Sequence, residues 1–113
     1  MEKGYNLKII VPHGGGFIPY QLGRINLLKD VFNSTKFRPE DYILSQLYFD
    51  SILYREEEIN FLINTIGIDR IVFGTDHPFT VSDIKKFLSF TEKYGRKILI
   101  DNALRLINLH NIF

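Results

Sequence analysis

Residues 66–79 read IGIDRIVFGTDHPF, a short apolar run that polar residues follow at once. The run Ile71–Phe73 is β-branched or aromatic, and Gly74 ends it. A short, nearly continuous apolar run of this kind is typical of a parallel strand buried on both faces. Because Thr75 and Asp76 come next, this strand would carry a carboxylate at its C-terminal end.

Two earlier segments have the same form. Leu7–Val11 is apolar except for Lys8, and Pro12 closes it. Leu47–Phe49 ends at Asp50. Helical patterns lie between and after the three runs, and such alternation predicts right-handed βαβ units and a parallel sheet. The chain is therefore assigned to the α/β class, as one domain over residues 1–113.

The clearest helical pattern follows the second predicted strand. Its apolar residues fall at i, i+3, i+4 and i+7 spacing, namely Ile59, Leu62, Ile63 and Ile66. Glutamates at 56–58 form a solvated helix start, where the helix dipole favours negative charge, and Gly67 gives a C-terminal stop. We expect a helix that packs one face on the sheet.

Two helices are predicted between the first two strands. Residues 23–33 would place Ile25, Leu28 and Phe32 on one face. The segment Arg38–Asp41 contains Pro39 and is interpreted as a break followed by one helical turn.

Two more helices are predicted after the third strand. Ser82 would cap the first of them, and Gly95 would stop it. Asn102 would cap the last helix, which carries Arg105 and His110 on its surface.

Composition excludes several function classes. The 113 residues are 45% hydrophobic and carry a net charge of +1, which favours one folded domain and argues against a nucleic-acid surface. The chain has no cysteine, so disulfides, thiol catalysis and thiolate metal sites are excluded. No apolar run approaches the roughly 18 residues that span a bilayer. The N-terminus also lacks an apolar signal region, so we expect a cytoplasmic protein without membrane partners.

Polar residues gather directly after the predicted strands, where parallel α/β folds build their sites. His13 precedes three glycines, and it could serve as a general acid/base or could simply cap the strand before a flexible turn. Exposed N–H groups of Gly14 and Gly15 could hold an anion or a carbonyl oxygen. A weaker alternative is therefore a small-molecule or phosphate binder that uses this glycine loop.

The third strand end offers a metal ligand. Asp76 could bind zinc or a similar ion, or it could cap a helix that starts near Pro78. His77 is adjacent to it, and its side chain would line a pocket or lie on the surface. Arg24 could clamp a substrate carboxylate, although the residues alone favour a solvated arginine at a helix start. For Asp50, a turn or cap role is favoured.

Four motifs occur in order: HGGGFIPYQLGR at 13–24, YFDS at 48–51, IGIDRIVFGTDHPF at 66–79 and NALRL at 102–106. Together they resemble the C-terminal part of the amidohydrolase-related (amidohydrolase 2) family, in the branch of aminocarboxymuconate-semialdehyde decarboxylase. The resemblance implies a TIM barrel with one divalent metal, usually zinc, and decarboxylase or hydrolase chemistry. Because a full barrel has about 250 residues, the chain would supply its last three strands.

The resemblance also implies roles for single residues. Asp76 matches the metal-binding aspartate, and His13 matches the acid/base histidine. Arg24 matches an arginine that binds the substrate carboxylate and can be supplied across a dimer contact. Gly14 and Gly15 would adjoin the substrate, and His77 stands where relatives carry a variable residue.

This sequence departs from the family in its metal ligands. Histidine occurs only at 13, 77 and 110, and no His-x-His pair exists. One carboxylate cannot hold zinc, which needs several ligands. We therefore expect a divalent metal only where another chain completes the site, and whether this chain is an active enzyme stays open.

Two hypotheses account for the missing ligands. In the first, the chain is the C-terminal part of a metal-dependent hydrolase or decarboxylase of a small carboxylated substrate, and a separate chain provides the N-terminal half. In the second, it is a non-catalytic α/β remnant. Three strands would expose two sheet edges, so that remnant should form a homo-oligomer.

Overall fold

The structure is a computed structural model that describes residues 7–32, 39–79 and 83–107, with only the backbone described at 29–32. Three parallel strands form one sheet in the order of the chain: β1 (Ile9–Val11), β2 (Leu47–Asp50) and β3 (Ile71–Val72). Val11 pairs with Phe49, and Phe49 pairs with Ile71. The predicted α/β class and parallel sheet are confirmed.

Helices connect and follow the strands: α1 (Leu22–Phe32), α2 (Pro39–Gln46), α3 (Glu56–Ile66), α4 (Ile84–Thr91) and α5 (Asn102–Ile107). Short helical turns lie at His13–Gly15, Ile68–Arg70 and Glu92–Tyr94, and a π-helical segment spans Lys97–Asp101. Within the described residues, no helix combines the length and apolarity that crossing a membrane requires.

Helix α3 forms as its pattern predicts. The Glu58 carboxylate accepts the backbone N–H of Arg55 at 3.1 Å, which satisfies a donor at the helix start. Gly67, with φ of 99°, ends the helix and donates its N–H to the Ile63 carbonyl. The residues that α3 buries are Ile59, Leu62 and Ile66.

Two predictions between β1 and β2 need correction. In α1, Ile25 packs against the core, whereas Leu28 is 44% exposed and does not share the buried face. The predicted single turn after Pro39 is the eight-residue helix α2, because Ile43 packs into the core and extends it. Arg38 lies outside the described residues, as does the side chain of Phe32.

The helix starts after β3 also differ from prediction. Asp83 caps α4, since its side chain accepts the Lys86 N–H at 3.1 Å. Asn102 does not cap α5, because the π-helical segment runs straight into that helix. Its buried amide instead donates to the carbonyls of Ile68 and Ile71, both at 2.7 Å. Ser82 and His110 lie outside the described residues.

The core centres on β2 and β3 and leaves β1 exposed. Phe49 and Ile71 are fully buried. Ile9 and Ile10 are each 47% exposed, so the prediction of burial on both faces is wrong for β1. β1 and β3 are the two edge strands of this sheet, and of the two only β3 is covered on its faces. The buried apolar cluster consists of Leu22, Ile43, Phe49, Leu62, Ile66, Ile71 and Ile98.

Candidate functional site

The parallel sheet brings the predicted site residues to the same end of the sheet, where the strands end. His13 follows β1, Asp50 ends β2, and Asp76 lies four residues beyond β3. Because neighbouring strands are about 4.8 Å apart, the ends of β1 and β3 lie roughly 10 Å from each other. The candidate acid/base and the candidate metal ligand therefore follow strands on opposite sides of β2, at the same end of the sheet.

The end of β2 binds the loops on either side of it. Oδ1 of the buried Asp50 accepts the N–H of Gly14 at 3.0 Å and that of Ile52 at 3.0 Å. Oγ of the buried Ser51 accepts the N–H of Gly74 at 3.2 Å. The turn role predicted for Asp50 is confirmed, and Asp50 also holds the His13 loop. The sequence predicts no such role for Ser51, although its position next to a strand-end aspartate could have indicated one.

The glycine N–H groups are already used within the protein. Gly14 bonds to the end of β2, Gly15 donates to the Pro12 carbonyl at 3.0 Å, and Gly16 donates to the His13 carbonyl at 3.1 Å. The expectation that these groups are exposed to hold an anion is therefore wrong. The loop geometry removes the basis of the phosphate-binder alternative.

Gly14 and Gly15 instead let the loop pack closely on its neighbours. A Cβ added at Gly15 would lie 2.3 Å from Cδ1 of the buried Phe49. A Cβ at Gly14 would lie 2.7 Å from Cδ1 of Leu53. Both glycines are buried, and their contact with substrate stays a prediction.

Asp76 is half-buried, and its carboxylate has a specific partner. Its Oδ2 accepts the hydroxyl of Tyr54 at 2.7 Å. Its carbonyl accepts the N–H of Phe79 at 2.9 Å, so the backbone makes a turn here. Residues 77–79 are not helical, and the alternative of a helix cap near Pro78 is wrong.

Tyr54 was not singled out from the sequence. It lies 22 residues before Asp76, and no motif links the two. The hydrogen bond to Asp76 raises the pKa of Tyr54 above its ordinary value of 10.0, and partial burial and the charge of Asp76 act in the same direction. The phenol is therefore a protonated donor to Asp76 at neutral pH.

His13 and Asp76 share an uncommon backbone conformation. Their φ angles are 55° and 61°, and within the described residues no other non-glycine residue has a positive φ. Such conformations cost about 1–3 kcal/mol and cluster at functional sites. The backbone thus distinguishes the same two residues that the sequence proposed as acid/base and metal ligand.

The structure places Arg24 and His77 at the surface. Arg24 is exposed in the first turn of α1. The His77 side chain is exposed too. The backbone N–H of His77 donates to Oγ1 of Thr75 at 3.2 Å. Within the described part, neither side chain makes a hydrogen bond or an ion pair with His13 or Asp76. The substrate-binding role of Arg24 and the pocket position of His77 stay predictions.

A cleft of about 510 Å³ lies beside the glycine loop. Gly14 and Gly16 line one side of it, whereas His13 and Asp76 do not line it. The rings of Tyr20 and Phe61, 6.1 Å apart, contribute apolar surface. The cleft therefore adjoins the candidate site at Gly14 but does not include the candidate acid/base or the candidate metal ligand.

The donor set supplies part of a metal site. Within residues 7–32, 39–79 and 83–107, no three His, Asp or Glu side chains come together as metal ligands. Asp76 alone fits as a carboxylate ligand at a strand end. The described residues therefore do not form a complete metal site.

Comparison with known proteins identifies the family. An amidohydrolase family profile matches residues 2–109. The chain belongs to the amidohydrolase family. This amidohydrolase chain is 32% identical, over 115 residues, to 2-amino-3-carboxymuconate-6-semialdehyde decarboxylase of Dictyostelium discoideum. The match covers 92% of this chain and 32% of the relative.

Solved amidohydrolase structures share the fold. A 2,6-dihydroxybenzoate decarboxylase from Rhizobium superposes with a TM-score of 0.78 at 28% identity, over 96% of this chain and 36% of the other. A dihydroxybenzoic acid decarboxylase from Polaromonas, with bound manganese and the inhibitor 2-nitroresorcinol, gives 0.72 at 30% identity over the same shares.

The chain spans about a third of the length of these relatives. Its three parallel strands are part of the TIM-barrel fold that the relatives have. The family and the partial barrel implied by the sequence motifs are thus confirmed. A relative with a divalent metal is also found, and the metal it holds is manganese.

Proposed function

We propose that His13 and Asp76 belong to a metal-dependent decarboxylase site for a small carboxylated substrate. The observation that carries the proposal is their shared geometry: both follow parallel strands at one sheet edge, and both hold a positive φ. The likeness to a decarboxylase with bound manganese supports this interpretation. The remaining metal ligands would come from outside the described residues.

Decarboxylation needs a proton at the right carbon. The C–C bond to the carboxylate breaks, carbon dioxide leaves, and the electron pair stays on the substrate until a proton takes its place. The His13 imidazole is suited to deliver that proton near neutral pH. Arg24 would hold a substrate carboxylate through paired N–H donors.

Asp76 would hold the divalent metal as one carboxylate ligand. A bound divalent ion supplies charge stabilisation for an anionic substrate. The chain's own contribution is to fix the position of that carboxylate, through the turn at residues 76–79 and the Tyr54 hydroxyl. Both zinc and manganese are compatible with such a ligand.

The proposal is tested by completing the barrel. The chain is combined with the part of the Dictyostelium relative that precedes the matched region, as a separate or a fused polypeptide. We expect one metal ion per complex and release of carbon dioxide from 2,6-dihydroxybenzoate or 2-amino-3-carboxymuconate semialdehyde. Metal analysis with Mn²⁺ and Zn²⁺ gives the stoichiometry.

Variants assign the roles. H13A should lower kcat by about a hundredfold or more while metal binding persists, because it removes the proton carrier. D76A should lose the metal. D69N, at an exposed carboxylate that pairs with Lys97, is the matched control. A complex that binds no metal, or an H13A complex with full activity, would contradict the proposed function.

A second candidate, a non-catalytic homo-oligomer, is favoured by the exposure of β1. Ile9 and Ile10 present apolar surface at an open sheet edge that another chain could cover. Light scattering should then show a wild-type dimer or larger assembly, and Ile10→Lys should shift it to monomer. A wild-type chain that stays monomeric at high concentration would rule out this candidate.

A further inference from the structure

Tyr54 joins two distant parts of the candidate site. It lies in the segment between β2 and α3, and its hydroxyl donates to Asp76 beyond β3 at 2.7 Å. Its backbone N–H donates to Oε1 of Glu58 at 3.2 Å, which ties it to the first turn of α3. The backbone of Tyr54 is thus held from the helix while its hydroxyl reaches the loop after β3.

The ring of Tyr54 is also held. It packs edge-to-face against Phe87 of α4, with ring centroids 5.1 Å apart and an interplanar angle of 72°. Phe87 is fully buried, so it offers a fixed surface. Backbone and ring contacts together aim the hydroxyl at Asp76 and leave it little freedom to turn away.

The position of the Asp76 carboxylate depends on contacts such as the one from Tyr54. Its backbone is held at a positive φ, where side chains are strained, and its carboxylate lies in a loop. Within the described residues, the Tyr54 hydroxyl is its one side-chain partner. An O–H donor to a carboxylate is among the stronger hydrogen bonds in proteins.

We propose that Tyr54 is a positioning residue for Asp76: it holds Oδ2, so that Oδ1 is presented to the site in a fixed direction. This inference rests on the proposed role of Asp76 as a metal ligand. Partners that orient a ligating group contribute much of the affinity of a metal site, although they do not touch the metal.

The first test uses the chain by itself. Tyr54→Phe removes the hydroxyl and keeps the ring on Phe87. The readout is amide hydrogen exchange at Phe79, whose N–H bonds to the Asp76 carbonyl. Loss of one strong hydrogen bond should speed this exchange roughly fivefold or more. Unchanged exchange at Phe79 would overturn the proposal.

The matched control is Tyr94→Phe. The Tyr94 hydroxyl also makes a side-chain hydrogen bond, to Oδ1 of Asn60 on α3. Its loss should leave the exchange at Phe79 unchanged, because this hydroxyl bonds to α3 and not to the loop after β3. If both variants speed the exchange equally, the effect is a general loss of stability and the proposal fails.

A second experiment changes Asp76, the other member of the hydrogen-bonded pair. Asp76→Asn tolerates the same backbone conformation and weakens the bond from Tyr54. It should also speed the exchange at Phe79, and combining it with Y54F should add little, since both changes disrupt one interaction. Fully additive effects would show that the two residues act independently.

The last readout is Mn²⁺ affinity in the completed barrel. Y54F should weaken it about tenfold or more, whereas Y94F should not change it. If the wild-type complex binds no Mn²⁺, the proposed function fails, and the exchange measurements still decide the role of Tyr54. If Mn²⁺ binds equally to wild type and Y54F, the positioning role is wrong and the proposed function stands.

Discussion

The Asp50 carboxylate accepts the Gly14 backbone N–H at 3.0 Å, across 36 residues of the chain. This bond fastens the His13 loop to the middle strand of the sheet. Ser51, the next residue, fastens the loop after β3 through the N–H of Gly74. Two adjacent side chains at the end of β2 therefore hold in place the loops that carry His13 and Asp76.

Asp50→Ala should destabilise the chain by about 2 kcal/mol, because two backbone N–H groups lose a buried charged acceptor. Asp50→Asn should cost less, since it keeps an acceptor oxygen. Urea denaturation measures both free energies of unfolding. Asp101→Asn, at an exposed pair with Arg96, is the control and should stay within about 0.5 kcal/mol of wild type. An equally small effect at Asp50 would show that the Gly14 bond contributes nothing.

Gly15→Ala should cost about 3 kcal/mol or more. The new methyl would overlap the Phe49 ring, at 2.3 Å, and would also strain a φ of 85°. Gly16→Ala is the control for backbone strain, because its φ of 57° is also positive and its Cβ would meet open space. It should show strain without a clash, about 1–3 kcal/mol. Thermal unfolding separates the two, and equal losses would mean that the close approach to Phe49 is unimportant.

Asn102→Ala should destabilise the chain by about 2–4 kcal/mol. The buried amide donates to the carbonyls of Ile68 and Ile71, and both would lose their donor. Asn64→Ala, on the exposed face of α3, should change stability little. Denaturant titrations that give similar midpoints for the two variants would contradict this prediction.

Glu57 should make the stability of α3 depend on pH. A hydrogen bond to its own backbone N–H, and then the charge of Arg55, lower its pKa below the ordinary value of 4.5. A carboxyl with a lowered folded-state pKa stabilises the fold above the unfolded value and loses this effect as pH falls through the folded value. Wild type should therefore exceed E57Q in stability at neutral pH, and this difference should shrink as the pH falls below 4.5. A difference that stays constant as the pH falls would contradict the assignment.

Much of the fold could be predicted from local pattern. The strands β2 and β3 are short continuous apolar runs, and the helix α3 carries apolar residues at helical spacing; such signals act over a few residues. The exposure of Ile9 could not be predicted in this way. It depends on what packs over each strand: β1 and β3 are both edge strands, yet only β3 is covered, and no pattern within residues 7–11 shows this difference.

The residue types of the site could be predicted from the sequence, but the hydrogen bonds that hold those residues in position could not. Strand-end position pointed to His13 and Asp76, because loops after parallel strands are free to carry function. The hydrogen bonds that Tyr54 and Gly14 donate join residues 22 and 36 positions apart, so no local sequence pattern contains them. The long-range bond to Asp50 occupies the Gly14 N–H, whereas the N–H groups of Gly15 and Gly16 are occupied by local bonds within the turn.

The edge position of β1 also bears on the order in which this chain opens. Its isoleucines are half-exposed, while Phe49 and Ile71 in the next strands are completely enclosed. Segments with few buried contacts open at lower free energy than the rest of a protein. The His13 loop follows β1 directly, but Gly14 and Gly15 also hold it to β2, through the bond to Asp50 and the packing on Phe49. Fraying of β1 would therefore free one end of the loop only, and the fraction of time that His13 spends in place would depend on the attachment of its loop to β2.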